Sequence, residues 1–203
     1  MLDLLGPRLA HVTAQSNVPS ICATGLKCVA DLARDAHLSA DEFLLRTRRQ
    51  MIGPATLNHQ RPLANYHATA ARLLEDHTPK SWAAQLDRRV FFWTATEAAA
   101  FSASISRDLP IVTLWFDTRI LIEALAPFID ICPLNSGSFR QGGGGKPRGN
   151  WIYVPVTSGV EAYRRNRQRH TDLGNPDSKI REVSCRTALP AQLVRRALLQ
   201  EMT

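Results

Sequence analysis

The pattern of apolar and polar positions predicts an opening strand followed by a helix. Residues 8–13 form a short run suited to a strand, and Ser16 and Gly25 are a suitable N-cap and a suitable residue after the last helical turn. Between them, apolar side chains recur at helical spacing, at Val18, Ile21, Cys22 and Leu26. The pattern therefore predicts a helix over residues 17–24.

Helical signals continue to about residue 86. The sequence Ser-Ala-Asp-Glu at 39–42 is a capping box, and it predicts a helix whose far end is basic. A second helix is expected over residues 64–74. Thr78 followed by Pro79 is an N-cap with a proline at the first helical position, which predicts a helix ending near Leu86.

The second half of the chain contains most of the runs that favour strands. These runs cover residues 89–93, 110–116, 128–132, 151–156 and 179–186. The segment 133–149 is predicted to be irregular because it contains four consecutive glycines. Early helices and late strands favour an α+β fold in which few strands are joined by βαβ crossovers.

Length and composition favour one globular domain. The chain has 203 residues, 44% hydrophobic and 21% charged, and no apolar run is long enough to span a bilayer. Residues 1–7 lack the basic segment and cleavage signal of a secretory leader, so a cytoplasmic location is expected. The four cysteines lack metal-ligand spacing, which favours buried, reduced thiols over a disulfide or zinc site.

Charge adds a candidate partner. The net charge is +7, and the excess is mostly arginine, whose guanidinium group grips planar anions such as phosphates with two donors. A polyanionic partner, above all a nucleic acid, is therefore plausible. The candidate phosphate contacts flank the glycine run and begin a later basic run: Arg140, Lys146, Arg148, Arg164 and Arg165. The alternative is a solvated loop and a solvated helix face.

Two polar residues on the predicted first strand are candidates for a binding site. His11 and Thr13 stand two residues apart, so their side chains share one face of that strand. The following helix start supplies free backbone N–H groups, and together these can hold a ribose hydroxyl or a carboxamide. The alternative is a buried histidine whose ring is satisfied by a neighbouring carbonyl group.

The order of motifs along the chain resembles ADP-ribosyltransferases of the DarT type. The opening matches in three successive pieces: His-Val-Thr at 11–13, Asn-Val-Pro-Ser-Ile at 17–21 and Gly-Leu at 25–26. Later pieces are similar to the family's aromatic strand, its next strand and the strand of its catalytic glutamate: residues 89–94, 111–117 and 180–183, the last followed by Leu189 and Pro190. The Val-Phe-Phe-Trp strand and the Asn-Ser-Gly segment at 135–137 also resemble a broad uncharacterised bacterial family.

The resemblance implies a fold and a co-substrate. The fold would be a single ADP-ribosyltransferase-like α+β domain over residues 1–203, with a split, mixed β core and a helical insertion at 28–86. His11 would lie on a central strand of that core. The co-substrate would be NAD, with Phe92 or Trp93 stacking on its nicotinamide. The implied NAD contacts are His11, Thr13, Phe92, Asn135 and Ser136.

The resemblance also implies catalytic residues. Glu182 would orient the nicotinamide ribose and take a proton from the acceptor. The alternative is a glutamate on a solvated edge strand, paired with Arg181 or Arg186. A functional arginine is implied within the run Arg46, Arg48 and Arg49, and we expect it to be Arg49. The alternative for that run is a solvated helix face.

Two functions therefore stand as hypotheses. The first is an NAD-dependent ADP-ribosyltransferase, without a metal, that modifies DNA or RNA and acts as a toxin or an anti-phage effector, with a neutralising antitoxin protein as a further partner and no membrane. The second is a catalytically silent module of the same fold that binds NAD or nucleic acid. The second is kept because the chain lacks an Arg-Ser-Glu triad and has Ile180 two residues before Glu182.

Overall fold

A computed structural model describes residues 1–105, 109–139, 145–171 and 179–199. Its strands are β1 Arg8–Ala14, β2 Gln50–Ile52, β3 Ala55–Leu57, β4 Val90–Thr94, β5 Ile111–Asp117, β6 Ile129–Cys132, β7 Val154–Pro155 and β8 Glu182–Cys185. Its α-helices are α1 Leu2–Leu5, α2 Val18–Thr24, α3 Val29–Asp35, α4 Arg61–Ala64, α5 His67–Leu73, α6 Pro79–Asp87, α7 Ala95–Ile105, α8 Thr118–Leu125, α9 Gly159–Thr171 and α10 Ala191–Ala197. The predicted α+β class is confirmed.

Six of the strands form one sheet in the order β5-β1-β4-β8-β6-β7. Every pairing in this sheet is antiparallel, so the expected mixed sheet is wrong. The physical reason is that no helix in the described chain carries one of these strands over to a parallel neighbour. The opening strand and β4, β8 and β6 are all interior strands, which places His11 inside the sheet as expected.

The contact between β1 and β4 is unusually short. β1 pairs with β5 along its whole length, from Arg8 opposite Asp117 to Ala14 opposite Ile111. With β4 it shares only two paired positions, at Leu9 and Ala10. Beyond Ala10 the two strands separate, and the sheet opens between them.

Apolar side chains cover both faces of the sheet. One face packs against α2, α8 and α10, through buried residues that include Leu9, Phe92, Phe116, Val183 and Val194. On the other face, Trp82 of α6 packs with Cys132 and Tyr153, while Trp93 packs with α7. The strands position polar residues by alternation, because neighbouring residues point to opposite faces.

The region 28–86 is less helical than the sequence predicts. It contains α3, α4, α5 and most of α6, but also the hairpin of β2 and β3. The capping-box sequence forms only a short 3-10 turn at Ala40–Phe43, so the predicted continuous helix is wrong. The chain turns away at Leu45, which has a positive φ of 56°, and the Gln60 side chain accepts a hydrogen bond from the Leu45 N–H at 2.6 Å.

Two other helix starts are capped by side chains, and the first of them confirms the predicted Thr78 cap. The Thr78 hydroxyl accepts a hydrogen bond from the Ser81 N–H at the start of α6. The Asp117 carboxylate accepts one from the Ile120 N–H at the start of α8. Both caps satisfy backbone donors that have no partner within their own helix.

Gly25 follows the last residue of α2 and lies against the segment between β8 and α10. Its neighbour Leu26 pairs with Leu189 in an isolated antiparallel bridge. A Cβ atom on Gly25 would lie only 2.3 Å from the Leu189 carbonyl oxygen, and the φ of 99° is itself unfavourable for other residues. Glycine is therefore required where α2 meets the segment between β8 and α10.

No helix in the described ranges is both long and apolar enough to cross a membrane. The four cysteines are free thiols, and three of them are buried: Cys28, Cys132 and Cys185.

Candidate active site

A cleft of about 800 Å³ opens where β1 and β4 separate. This volume lies within the range of about 300–1,000 Å³ that is usual for ligand sites. Its walls come from β1, β4, α7, the β2–β3 hairpin, the segment 133–138 and the first residue of β8. Most of the predicted site residues lie together in its lining: His11, Thr13, Arg49, Asn135, Ser136, Lys146, Arg148 and Glu182.

His11 is half-buried in the wall of this cleft. Its Nδ1 lies 2.9 Å from the Phe91 carbonyl oxygen, which can only accept, so Nδ1 carries a proton. Burial lowers the pKa of His11, and this hydrogen bond opposes the shift. The ring is therefore neutral at physiological pH, and its Nε2 is an acceptor suited to a hydroxyl group.

Thr13 is held in place by Asn17, a residue to which the sequence analysis assigned no role. The Asn17 side-chain amide donates to the Thr13 hydroxyl at 3.0 Å and exchanges two hydrogen bonds with the backbone of Thr56. The Thr13 oxygen therefore already accepts one hydrogen bond, and its own proton can be donated to a ligand. Asn17 also fixes the β2–β3 hairpin against the end of β1. The Asn-Val-Pro-Ser-Ile motif was the only sequence signal for this contact.

Glu182 lies on an interior strand, with only 3% of its surface exposed. The Ser136 hydroxyl donates to its carboxylate at 2.6 Å. Burial raises the pKa of Glu182 to about 7, against the opposing effects of the Ser136 hydrogen bonds and of the Arg89 and Arg148 charges. The alternative of a solvated edge-strand glutamate is wrong, because β8 is flanked by β4 and β6. A carboxyl group with this pKa can accept or release a proton near neutral pH.

The raised pKa of Glu182 predicts a dependence of stability on pH. The folded state binds this proton more tightly than the unfolded state, so stability falls as pH rises from about 4.5 to about 7 and stays lower above. The loss is on the order of 3 kcal/mol. E182Q lacks this titration, so its stability advantage over the wild type should be small at pH 4.5 and larger at pH 8. Urea unfolding at pH 4.5 and at pH 8 measures the stability difference between E182Q and wild type. An equal difference at the two pH values would contradict the raised pKa of Glu182.

The two arginines that the alternative interpretation paired with Glu182 form ion pairs with other carboxylates. Arg181 and Lys179 both contact Glu97 of α7, at 3.0 and 2.8 Å. Arg186 contacts Asp130, at 3.2 Å. Neither arginine therefore acts as the ion-pair partner that the alternative interpretation of Glu182 required.

A buried ion pair lies beside Glu182 on the same face of the sheet. Arg89 donates to Asp130 at 2.6 Å and to the Ser184 hydroxyl at 2.9 Å. Ser184 lies two residues after Glu182 on β8, so the two side chains share a face. No sequence motif indicates this ion pair, because Arg89 and Asp130 are 41 residues apart.

The three arginines of the basic run have three different environments. Arg46 is buried and forms a two-point ion pair with Asp87, with N–O distances of 2.7 and 3.0 Å. Arg48 is exposed. Arg49 lines the cleft, donating to the Asn58 side chain and to the Ile105 carbonyl oxygen. The interpretation of the whole run as a solvated helix face is therefore wrong, and Arg49 remains the predicted functional arginine.

Phe92 does not reach the cleft. It is 2% exposed, and its ring packs edge-on against Phe116 and the His11 ring in the core. The predicted contact of Phe92 with NAD is therefore wrong. Alternation along β4 instead turns Phe91 and Trp93 toward the cleft that they line.

Ser136 and Asn135 lie at the start of the irregular segment. Ser136 is 1% exposed and its hydroxyl is committed to Glu182, so it supports the carboxylate instead of contacting a cofactor as predicted. Asn135 lines the cleft and remains a predicted NAD contact, although its side-chain oxygen accepts a hydrogen bond from the Gly137 N–H.

The predicted nucleic-acid contacts separate into different groups. Arg148 is 1% exposed, and it donates to the Asn135 and Lys146 carbonyl oxygens, so its prediction as a surface contact is wrong. Burial lowers its pKa to about 10, and Glu182 opposes the shift. Lys146 is half-buried at the cleft, and Arg164 and Arg165 are exposed on α9. Arg140 lies outside the described residues.

No group of three or more His, Cys, Asp or Glu side chains in the described chain could hold a metal ion.

Comparison with known proteins adds a family but no activity. No curated protein and no solved structure matches the chain. One family model, described as a family of unknown function, DUF7002, matches residues 7–194. That match covers nearly all of the sequence, and the chain therefore belongs to the DUF7002 family.

Proposed function

We propose that this protein is an NAD-dependent ADP-ribosyltransferase that modifies a nucleic acid. The observation that carries the proposal is the position of Glu182, a buried carboxyl group with a pKa of about 7 in the lining of a large cleft. The same cleft is lined by His11 and Thr13, the two residues on which the resemblance to DarT-type enzymes begins.

In this proposal, NAD binds along β1. The neutral His11 ring accepts from a ribose hydroxyl through Nε2, since Nδ1 is already bonded to Phe91. Thr13 donates its hydroxyl proton, since its oxygen already accepts from Asn17. Arg49 supplies positive charge for the pyrophosphate, because a guanidinium group matches phosphate oxygens well.

The proposed reaction breaks one bond to the ribose carbon, forms another and transfers one proton. The bond between nicotinamide and its ribose breaks, and nicotinamide leaves with the bonding electron pair. The ribose carbon bonds to an oxygen or nitrogen atom of the acceptor. The proton of that atom passes to the Glu182 carboxylate, which its pKa near 7 makes an effective base close to neutral pH.

The choice of a nucleic acid as acceptor rests on charge. The net charge of +7 favours a polyanion over an acidic protein as the acceptor. The attraction between opposite charges acts over the distances at which the partners first meet. Arg164 and Arg165 are exposed on α9, and Lys146 is at the cleft. An enzyme of this kind would suit a toxin or an anti-phage effector, controlled in the first case by a neutralising protein partner.

A direct assay tests the proposal and separates it from the silent-module alternative. Wild-type protein is incubated with NAD labelled in the adenylate moiety and with separate pools of DNA, RNA and protein. Label covalently attached to a nucleic acid supports the proposal. Label attached only to protein would overturn the choice of acceptor. Absence of label from all three pools, with NAD still bound, would favour the silent module.

NAD binding should raise the thermal stability of the wild-type protein, and H11A should weaken this effect. A ligand that binds only the folded state stabilises it by mass action, by about 2.7 kcal/mol at one hundred times its Kd. The effect is measured as the change in melting temperature of wild type and of H11A across an NAD titration. H67A is the control, since His67 is exposed on α5. An identical response of wild type and H11A would remove His11 from the site.

Nucleic-acid binding should fall steeply with salt concentration. Each neutralised phosphate releases counterions. The logarithm of the binding constant therefore falls with the logarithm of the salt concentration, with a slope of about −0.7 to −0.9 per phosphate. Removing both α9 arginines, as R164Q with R165Q, should therefore reduce the slope by about 1.4 to 1.8. Fluorescence anisotropy with a labelled oligonucleotide measures it. The pair R72Q with R88Q removes the same charge from exposed positions elsewhere, and an equal effect of both pairs would reject α9 as the contact surface.

A further inference from the structure

Arg89 lines the cleft, but the proposed reaction assigns it no role. Its side chain is only 9% exposed, and its Nη1 donates to Asp130 at 2.6 Å and to the Ser184 hydroxyl at 2.9 Å. The Tyr153 ring covers one face of the guanidinium group, with its centre 3.6 Å from the central carbon. Contacts at one nitrogen and on one face therefore hold this group in a fixed orientation at the cleft wall.

The edge of the Arg89 guanidinium group that is formed by Nε and Nη2 is left available. Neither nitrogen donates to an acceptor among the described residues, since both hydrogen bonds of this side chain start from Nη1. Neither is sealed in the interior, because the fully buried side-chain donors that lack a partner in the described chain belong to other residues. Two adjacent, nearly parallel N–H donors match two oxygen atoms of one carboxylate or phosphate group. The cleft wall therefore contains a preorganised, two-point donor for an oxyanion.

The charges around Arg89 favour an anion at this edge. Asp130 is shared by two arginines, because Arg186 also contacts it, at 3.2 Å. Two positive charges and one negative charge leave one positive charge uncompensated in this group. Arg148 adds a further cation on the side of Glu182. A negatively charged ligand group is therefore attracted to the part of the cleft that Arg89 lines.

We propose that the Nε–Nη2 edge of Arg89 binds a backbone phosphate of the nucleic-acid acceptor. Its position relative to Glu182 selects this phosphate. Ser184, to which Arg89 donates, lies two residues after Glu182 on β8, a distance of about 7 Å along the strand. The acceptor atom must reach Glu182 to lose its proton, so a phosphate close to that atom in the acceptor chain comes within reach of Arg89. The NAD pyrophosphate is instead assigned to Arg49, beside the β2–β3 hairpin.

This inference rests on the proposed function, and it makes Arg89 a binding residue that places the acceptor. R89K tests it, because lysine keeps the positive charge but has no pair of parallel donors. Binding of a short labelled oligonucleotide, made as DNA and as RNA, is measured by fluorescence anisotropy without NAD. R89K should bind the oligonucleotide roughly tenfold more weakly, the loss expected for one hydrogen bond to a charged group.

R186K is the matched control. It makes the same substitution at the other arginine that contacts Asp130, and the Arg186 side chain is 45% exposed and outside the cleft lining. Its affinity for the oligonucleotide should equal that of wild type. Equal affinities of R89K and R186K would overturn the proposal, as would failure of the wild-type protein to bind either oligonucleotide.

A second measurement takes its main result from the wild-type protein. Single phosphodiester linkages of the oligonucleotide are replaced, one at a time, by neutral methylphosphonate linkages. In wild type, one position should weaken binding roughly tenfold more than the others, because one phosphate oxygen and its charge are lost at Arg89. In R89K that position should no longer differ from the others, because the two changes remove the same contact. Equal losses at all positions in wild type would contradict the proposal.

The thermal shift with NAD separates the two phosphate sources in the cleft. R89K should leave this shift unchanged, because Arg89 is assigned to the acceptor. A smaller NAD shift in R89K, with unchanged affinity for the oligonucleotide, would assign the Arg89 edge to the pyrophosphate and reject the proposal. All of these measurements record binding alone, so their failure is distinct from the failure of wild-type protein to transfer ADP-ribose.

Discussion

The E182Q variant is expected to lose ADP-ribosyl transfer while keeping its fold and its affinity for NAD. Glutamine keeps the size of the side chain and one acceptor oxygen, so the Ser136 hydroxyl retains its partner. It cannot take the proton of the acceptor, and a positioned general base contributes about 100- to 10,000-fold to a rate. The rate of transfer at saturating NAD measures the loss. The thermal shift with NAD confirms that binding persists.

Glu97 provides a control within the same cleft. It is a half-buried carboxylate that lines the cleft, but it is held by ion pairs with Lys179 and Arg181. These ion pairs and hydrogen bonds lower its pKa although burial raises it, so it is a weaker base than Glu182. E97Q should therefore retain most of the transfer activity. Normal transfer by E182Q together with loss in E97Q would move the assignment to Glu97.

The parts of the fold that were predicted correctly depend on neighbours in sequence. The start of α6 follows from Thr78 and Pro79, because an N-cap needs only the next three residues. β1, β4 and β5 follow in the same way from continuous runs of strand-favouring residues. The class of the fold could therefore be predicted from the sequence alone.

The failures concern contacts between distant residues. The helix expected after Ser39 ends early because the Leu45 N–H donates to the side chain of Gln60, fifteen residues later. Phe92 was chosen over Trp93 because alternation gives two faces but does not say which one meets a ligand. The interior position of Glu182 depends on the strand order, in which β8 joins β4 and β6.

The candidate site shows the same division. His11, Thr13 and Glu182 were selected from motifs, and the structure brings all three to one cleft. Their support was not predicted: Asn17 behind Thr13, and Ser136 behind Glu182. A supporting side chain is defined by geometry across the fold, and a single sequence records no sign of that geometry.

The R46M variant should lose about 3–5 kcal/mol of stability, the usual cost of removing one partner from a buried ion pair. Arg46 and Asp87 are both nearly buried, and the arginine also donates to the Phe43 and Asn58 carbonyl oxygens. Without it, the Asp87 charge keeps only the hydrogen bond from the Gln60 side chain, and both carbonyl groups lose this donor in the interior. Urea unfolding measures the loss, which should exceed any change caused by R48M, since Arg48 is exposed.

The pH dependence of this loss provides a second check on the same contact. Burial raises the pKa of Asp87 even with Arg46 present, and Arg46 opposes that rise. In R46M the pKa should rise further, so the folded state takes up a proton at higher pH and gains stability as pH falls. The difference in stability between R46M and wild type should therefore shrink from pH 7 to pH 5. Replacing both partners, as R46M with D87L, should recover part of the loss, because no buried charge remains. Equal stabilities of R46M and R48M would show that the Arg46–Asp87 pair does not support the cleft wall.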